Sequence, residues 1–262
     1  KKKLEKHSKN IEKVDFSKLS GRKERGYEGF IYAQPIRDYE NSDIHKFEIL
    51  TRFNVDFVKD PGVIERIFQE LEKTGEIIDH DLDVMRRAHM ALSYVRTLNG
   101  SDNLPEMAVN ISPKTLSSPK FAAALLSMKE DDPFIMDKMI VEITERYDFD
   151  NEDIAFENCQ LIKSTGLRIA QDDYPLGRCA AIHSKRIAPL VDIIKMEVGR
   201  IPSLKATARM AFDPERCLKV EERIETIAHE EGAIRRGAGQ GQGFFYGRPM
   251  PIKSSLEALA SA

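Results

Sequence analysis

Between residues 29 and 53 two short apolar-rich runs, GFIYAQPI and KFEILTRF, flank a polar loop, DYENSD. Their length and apolar alternation predict two successive strands. From Pro61 the period lengthens. PGVIERIFQELEKTGEI predicts a helix with Pro61 near its start, and IDHDLDVMRRAHMALSYVRTLNG a second helix ending at Gly100. The pattern then alternates: strand MAVNIS, helices over about 113–130, strand KMIVEITE, and helix NEDIAFENCQLIKSTG stopped by Gly166. Strand LRIAQDD, a helix over about 178–189, strand DIIKME and a helix near 202–212 follow. Strand LKVEERI, a helix over 225–232 and a last short strand into QGFF complete the series. Strands alternating with helices imply parallel pairing by right-handed crossovers. About eight strands in this length predict an α/β fold, a closed TIM-like (β/α)8 barrel, with a doubly wound open sheet as the alternative.

No internal repeat interrupts this pattern. Residues 1–26 are Lys-rich and of mixed charge, and read as a linker or helical lead-in from an upstream domain, or as a disordered tail. The barrel domain is then 27–262. The chain does not begin with Met and reads as part of a longer protein.

Composition narrows the partners. The 262 residues are 41% hydrophobic and 32% charged, enough for one large core. The net charge of −3 gives no global attraction to a nucleic acid polymer or an anionic membrane. No apolar run approaches the roughly 20 residues needed to span a bilayer, and no signal peptide is visible. Cys159, Cys179 and Cys217 form no CxxC pair, so buried free thiols in a reducing, cytoplasmic setting are expected.

The chemistry lies at the strand ends. In barrels of this kind active sites form at the C-terminal ends of the strands. Polar residues there are Glu48, Asn110, Glu142, the adjacent Asp172 and Asp173, Lys195, Glu222 and Gln242. Each sits among apolar neighbours, where acids and lysines are costly unless paired. Five carboxylates, two amides and one lysine on seven segments are hard to explain as solvated faces. All-oxygen ligands without Cys or His favour a hard cation such as Mg²⁺, Mn²⁺ or Ca²⁺. Adjacent aspartates can bridge two ions, which together clamp the attacking and leaving oxygens of a phosphodiester displacement.

Taken singly, each residue has a plainer reading. Asp172 and Asp173 could form a turn or helix cap, and Glu48 could be a half-exposed acid on an edge strand. Lys195 could snorkel to the rim, Asn110 could cap the next helix, and Glu142 or Glu145 could pair with Arg146. The Gly-rich run GAGQGQG (237–243) fits no phosphate-loop spacing, and the dipeptide His80-Asp81 has no partner histidines at ligand spacing.

The ordered set of motifs resembles the EAL family of cyclic di-GMP phosphodiesterases over about 28–257. YAQPI (32–36) resembles the family's YQPI, EILTR (48–52) its EALLR, NIS (110–112) its NLS, and EITE (142–145) its ELTE. DDY (172–174) resembles DDFG, IKM (194–196) IKID, ERIET (222–226) EGVET, and QGFFYGRP (242–249) QGYLFSRP. The resemblance implies a TIM-like barrel whose first strand is antiparallel to the rest. It implies that Glu48, Asn110, Glu142, Asp172 and Asp173 hold two Mg²⁺ or Mn²⁺ ions. Lys195 would orient the nucleophilic water, and Glu222 would be a metal ligand or general base. Gln34, Arg52 and Gln242 would meet the dinucleotide, Arg52 at a phosphate, and Glu145 would anchor the loop after the double aspartate. The implied reaction is hydrolysis of cyclic di-GMP to linear pGpG, and the implied assembly a homodimer through that loop and its helix.

Three departures stand out. The family's FGTG is replaced by Tyr174-Pro175-Leu176-Gly177, its Gly after the seventh motif Glu by Arg223, and the Lys195–Glu222 stretch is short by on the order of two helical turns. Arg223 could plug the mouth or bind a phosphate. A cyclic di-GMP receptor without turnover, or a protein-interaction module, is the alternative these changes raise.

Overall fold

The computed structural model describes residues 20–24, 27–41, 44–53, 62–99, 104–176, 178–199 and 213–255. Its strands are β1 (Ser20–Glu24), β2 (Tyr27–Asp38), β3 (Lys46–Phe53), β4 (Glu106–Ile111) and β5 (Met139–Ile143). They continue as β6 (Arg168–Gln171), β7 (Ile193–Glu197), β8 (Leu218–Glu222), β9 (Gln240–Gln242) and β10 (Met250–Pro251). Helices α1 (Val63–Thr74) and α2 (Ile77–Asn99) follow β3, α3 (Pro113–Leu116) and α4 (Pro119–Asp131) follow β4, and α5 (Glu152–Ser164) follows β5. Helix α6 (Ala180–His183) follows β6, and α7 (Ile227–Arg235) follows β8.

Strands β2 to β9 pair in sequence order, and β2 also pairs with β9, which closes an eight-stranded barrel. Strand β2 is antiparallel to both neighbours, β3 and β9, whereas β3 to β9 are parallel throughout. The expected barrel with an antiparallel first strand is therefore present, and closure excludes the open sheet. Strands β1 and β10 lie outside the barrel, each antiparallel to β2. Strand β1 occupies the end of the stretch read as a lead-in, whose residues 1–19 lie outside the described ones. Among the described residues no helix is long and apolar enough to cross a membrane.

The strands read as they do because both faces are covered. In β5, MIVEI, every residue is buried. Met139, Val141 and Ile143 join the large outer core against the helices, while Ile140 turns inward. The barrel floor is a small cluster of Ile36, Ala108, Ile140, Ala170, Ile193 and Val220. Alternating small and branched side chains fill the narrow interior. Local signals set the helix ends. Ser112 and Ser118 cap α3 and α4, each with Pro at the next position, and Asn151 and Thr226 cap α5 and α7 through Ile154 and His229 backbone N–H groups. Gly166 follows α5 at φ 92°, as expected of a stop.

Two readings change in detail. The helix over 178–189 shrinks to α6 and a 3₁₀ turn, Ala188–Leu190, because Cys179 and Ser184 are non-helical on either side. Ser112, rather than Asn110, is the N-cap of the next helix. The expected helix near 202–212 and the end at Gly100 fall outside the described residues. All three cysteines are buried and free, as anticipated.

Candidate active site

One step beyond the apolar floor, each barrel strand presents a polar side chain to the interior. Parallel strands advance by two residues from floor to mouth: Ala108 to Asn110, Ile140 to Glu142, Ala170 to Asp172, Ile193 to Lys195 and Val220 to Glu222. On antiparallel β2 the step runs backwards, from Ile36 to Gln34. Glu48 and Gln242 complete the ring from β3 and β9.

These eight side chains form one connected network. Lys195, 2% exposed, lies 2.6 Å from Glu142, 2.9 Å from Glu222, 3.3 Å from Glu48 and 3.4 Å from Asp172. Glu48 accepts hydrogen bonds from Asn110 Nδ2 at 2.8 Å and from Gln242 Nε2. Gln242 also donates to Gln34 Oε1 at 3.3 Å. The rim-snorkelling reading of Lys195 and the edge-strand reading of Glu48 are thereby excluded.

One lysine does not balance the acids. Burial alone would lower the Lys195 pKa, but Asp172, Glu142, Glu222 and Glu48 hold it well above its ordinary value. Burial would raise Glu48, and Lys195 with the Gln242 and Asn110 amides outweighs it, so Glu48 is lowered. The remaining acids are left in surplus. Burial, then Glu48, Asp172 and Glu222 acting against Lys195, push Glu142 well above its usual range. Burial, with Asp172 and Glu48 opposing Lys195, raises Glu222 to about 8. Asp173 is raised by burial, Asp172 and Glu197. Glu142, fully buried, keeps one carboxylate oxygen without a hydrogen-bond partner.

This surplus fits a cation. Asp172, Asp173 and Glu222 each bring a carboxylate oxygen within 4.8 Å of the others. All donors are hard oxygens, and the orphaned Glu142 oxygen is a further one. Asp173 has φ 48°, a left-handed turn that folds the second aspartate back beside the first, which Asp tolerates better than most residues.

Other expected residues fall at the margins. Arg52 lines the mouth, where its Nη1 donates to the Thr51 carbonyl at 3.0 Å and burial lowers its pKa. Glu145 holds the 174–179 loop through its main-chain oxygen, which accepts from Arg178 and Cys179 N–H at 2.7 and 3.3 Å. Its carboxylate lies 3.5 Å from Arg146. The loop itself carries a cis Tyr174–Pro175 peptide. Arg223 pairs with Glu197 at 2.5 Å, and 70% of its side chain is exposed. Its φ of 59° explains why a glycine suits this position, and a non-Gly residue there costs on the order of 1–2 kcal/mol.

Asp81, the acid of the dipeptide, accepts from Ser112 N–H at 2.8 Å and Thr115 Oγ1 at 2.7 Å, and so ties α2 to the turn after β4. The Gly-rich run is a packing device. A Cβ on Gly243 would fall 2.0 Å from the Ile224 carbonyl, and one on Gly241 1.9 Å from the Tyr39 hydroxyl. Glu197 was missed by the sequence reading, although it lies two residues beyond Lys195 on the same strand and so shares its inward alternation.

The model of the EAL domain family matches residues 19–249. A cyclic di-GMP phosphodiesterase, PdeA, of Borreliella burgdorferi is 23% identical over 85% of this chain and 34% of its own length. A probable cyclic di-GMP phosphodiesterase of Escherichia coli, PdeI, is 27% identical over 86% of this chain and 29% of its own length. The chain thus spans about a third of these curated relatives. Among solved structures, the PaMucR phosphodiesterase in complex with c-di-GMP superposes with TM-score 0.66 at 22% identity, covering 87% of this chain and 94% of the other. Bacillus subtilis YkuI with c-di-GMP and calcium gives TM-score 0.56 at 20% identity, covering 89% and 59%. A barrel of this topology, the ordered motifs and a family match over most of its length place the chain in the EAL-domain family.

Proposed function

We propose that this domain hydrolyses cyclic di-GMP to linear pGpG. The observation that carries the reading is the network at the mouth: four carboxylates within 3.4 Å of a single buried lysine and a fifth, Asp173, beside two of them, with more negative charge than that lysine balances. Asp172, Asp173 and Glu222, with Glu48, Asn110 and Glu142, would hold two divalent cations, Mg²⁺ or Mn²⁺. Such ions supply Lewis-acid stabilisation of the phosphoryl oxygens and lower the pKa of an attacking water.

The chain's own residues set the rest of the chemistry. Lys195 stays protonated, so it serves as a fixed donor to the attacking water or the developing phosphorane and not as a base. Asn110 and Gln242 fix the Glu48 carboxylate, and Gln34 extends that chain of amides toward the ligand. Arg52, at the edge of the same cavity, offers a guanidinium to a phosphate.

Incubation with cyclic di-GMP and Mg²⁺ or Mn²⁺ should yield pGpG; no product with either metal overturns hydrolysis. The second reading, a receptor without turnover, draws on Arg223 and the altered 174–179 loop. Calorimetry would then show metal-dependent binding alone. Coverage of about a third of its relatives also supports a barrel driven by an upstream domain, and the buried free thiols fit a cytoplasmic setting. A homodimer through the altered loop would appear as a doubled mass in sedimentation.

A further inference from the structure

The mouth has two lobes. Cavities of about 270 and 250 Å³ share Glu48, Leu50, Asp172 and Asp173 as a common floor. The first lobe holds Arg52. In the second, Arg223 is the one cation among the described lining residues, which include the acids Glu222 and Glu225 as well as those of the floor.

Arg223 is held at both ends. Its backbone leaves β8 at φ 59°, which fixes the direction of the side chain. Its guanidinium reaches Glu197, the buried last residue of β7, yet 70% of the side chain remains exposed. A guanidinium has five N–H donors in a planar fork, so it can keep a carboxylate and still take an anion. Nothing in the backbone favours arginine here, since the conformation suits glycine.

We propose that Arg223 is a further ligand-binding residue that takes a phosphodiester oxygen of the bound dinucleotide in the second lobe, as the counterpart of Arg52 in the first. A cyclic dinucleotide has two like halves with one anionic phosphodiester each. Two lobes over one floor suit that shape, and a guanidinium beside Glu197 and Glu225, acids outside the proposed cation ligands, offers an anion a fixed positive charge that does not depend on bound cations. This rests on the cyclic di-GMP reading above.

The test is calorimetry of the parent, Arg223→Gly and Arg223→Lys with cyclic di-GMP in Ca²⁺, at two salt concentrations. Glycine suits the left-handed backbone, so that variant should fold at least as well as the parent. Arg223→Gly should bind about tenfold more weakly, with a shallower salt dependence, and Arg223→Lys should fall between. Unchanged binding by Arg223→Gly overturns the proposal. Tighter binding also overturns it, because the arginine would then be an obstruction. If the parent binds no cyclic di-GMP in Ca²⁺, the functional reading falls and takes this inference with it; if the parent binds and the variants match it, only the inference falls.

Discussion

The two ends of the barrel handle buried charge in opposite ways. At the N-terminal end, Lys46 donates to Gln240 Oε1 at 2.7 Å and lies 3.5 Å from Glu106, which also pairs with Arg168. Gln240 in turn donates to Asp38 at 3.0 Å. Burial would raise the pKa of Glu106, but Arg168 and Lys46 outweigh it and the acid is lowered. Two acids face two bases, and the end is closed. In the ring at the mouth, Glu48, Glu142, Asp172, Asp173 and Glu222 have Lys195 as the one cation among them, with Arg52 and Arg223 further out at the rim, and three of these acids are pushed upward. Both ends carry charged side chains inside the barrel, although Glu106 and Arg168 are each 30% exposed, so polarity inside a barrel does not by itself mark a site. The imbalance does: a charge that the protein leaves uncompensated costs stability, and it is retained where an external cation completes it.

The largest expected effect tests that imbalance. Asp173→Asn removes one mouth charge and places a residue that tolerates φ 48°. Hydrolysis, followed as pGpG release, should fall by at least roughly 10²-fold, which is about 2.7 kcal/mol of barrier. The melting temperature of the metal-free variant should match or exceed that of the parent, because a repelling acid has gone. Mn²⁺ at about 100 times its Kd should stabilise the parent by about 2.7 kcal/mol and the variant by much less. A metal-free variant that melts well below its parent would mean that Asp173 is structural. If the parent proves to be a receptor, the same substitution should abolish its metal-dependent binding.

The opposite end should respond in the opposite sense. Glu106→Gln leaves Lys46 and Arg168 short of a carboxylate, and denaturant unfolding should show a loss of about 1–3 kcal/mol for this partly exposed group. Turnover per folded molecule should stay within about twofold. A large loss of turnover without loss of stability would break the contrast between the ends.

The mouth was legible in the sequence for a simple reason. Glu48, Asn110, Glu142 and Lys195 each interrupt an apolar-rich strand at an inward position, and two-residue alternation marks that position without coordinates. The outermost strand at the N-terminal side was illegible because nothing apolar announces it. SGRKE, strand β1, is almost wholly polar and is held by backbone pairing to β2. Helix α6 was overread because Ala180, Ala181, Ile182, Ile187 and Ala188 are apolar enough for a helix, but all are buried in an irregular path that packing dictates. Arg223 was legible as an oddity and not as a geometry, since its pairing with Glu197 depends on a positive φ that no pattern of side chains encodes.

The smallest effect concerns Glu72 on α1, a buried acid at the edge of the first lobe with one carboxylate oxygen unpartnered. Burial, helped by the charge of Asp81 and opposed by Lys114, raises its pKa from 4.5 to about 7. The folded state therefore holds a proton that the unfolded chain has released above about pH 4.5. The stabilisation linked to that proton is fully present below pH 4.5 and is lost as pH rises through about 7. Glu72→Gln mimics the protonated form at every pH. Near pH 5 the variant and the metal-free parent should unfold at similar urea concentrations. At pH 8 the variant should be the more stable, by on the order of 1–3 kcal/mol, because the parent then buries an uncompensated charge. Glu222 and Asp173 change both proteins alike, so the difference between them isolates Glu72. Should the gap stay constant from pH 5 to pH 8, Glu72 is compensated in the fold, and uncompensated charge at this end is confined to the ring of strand-borne acids.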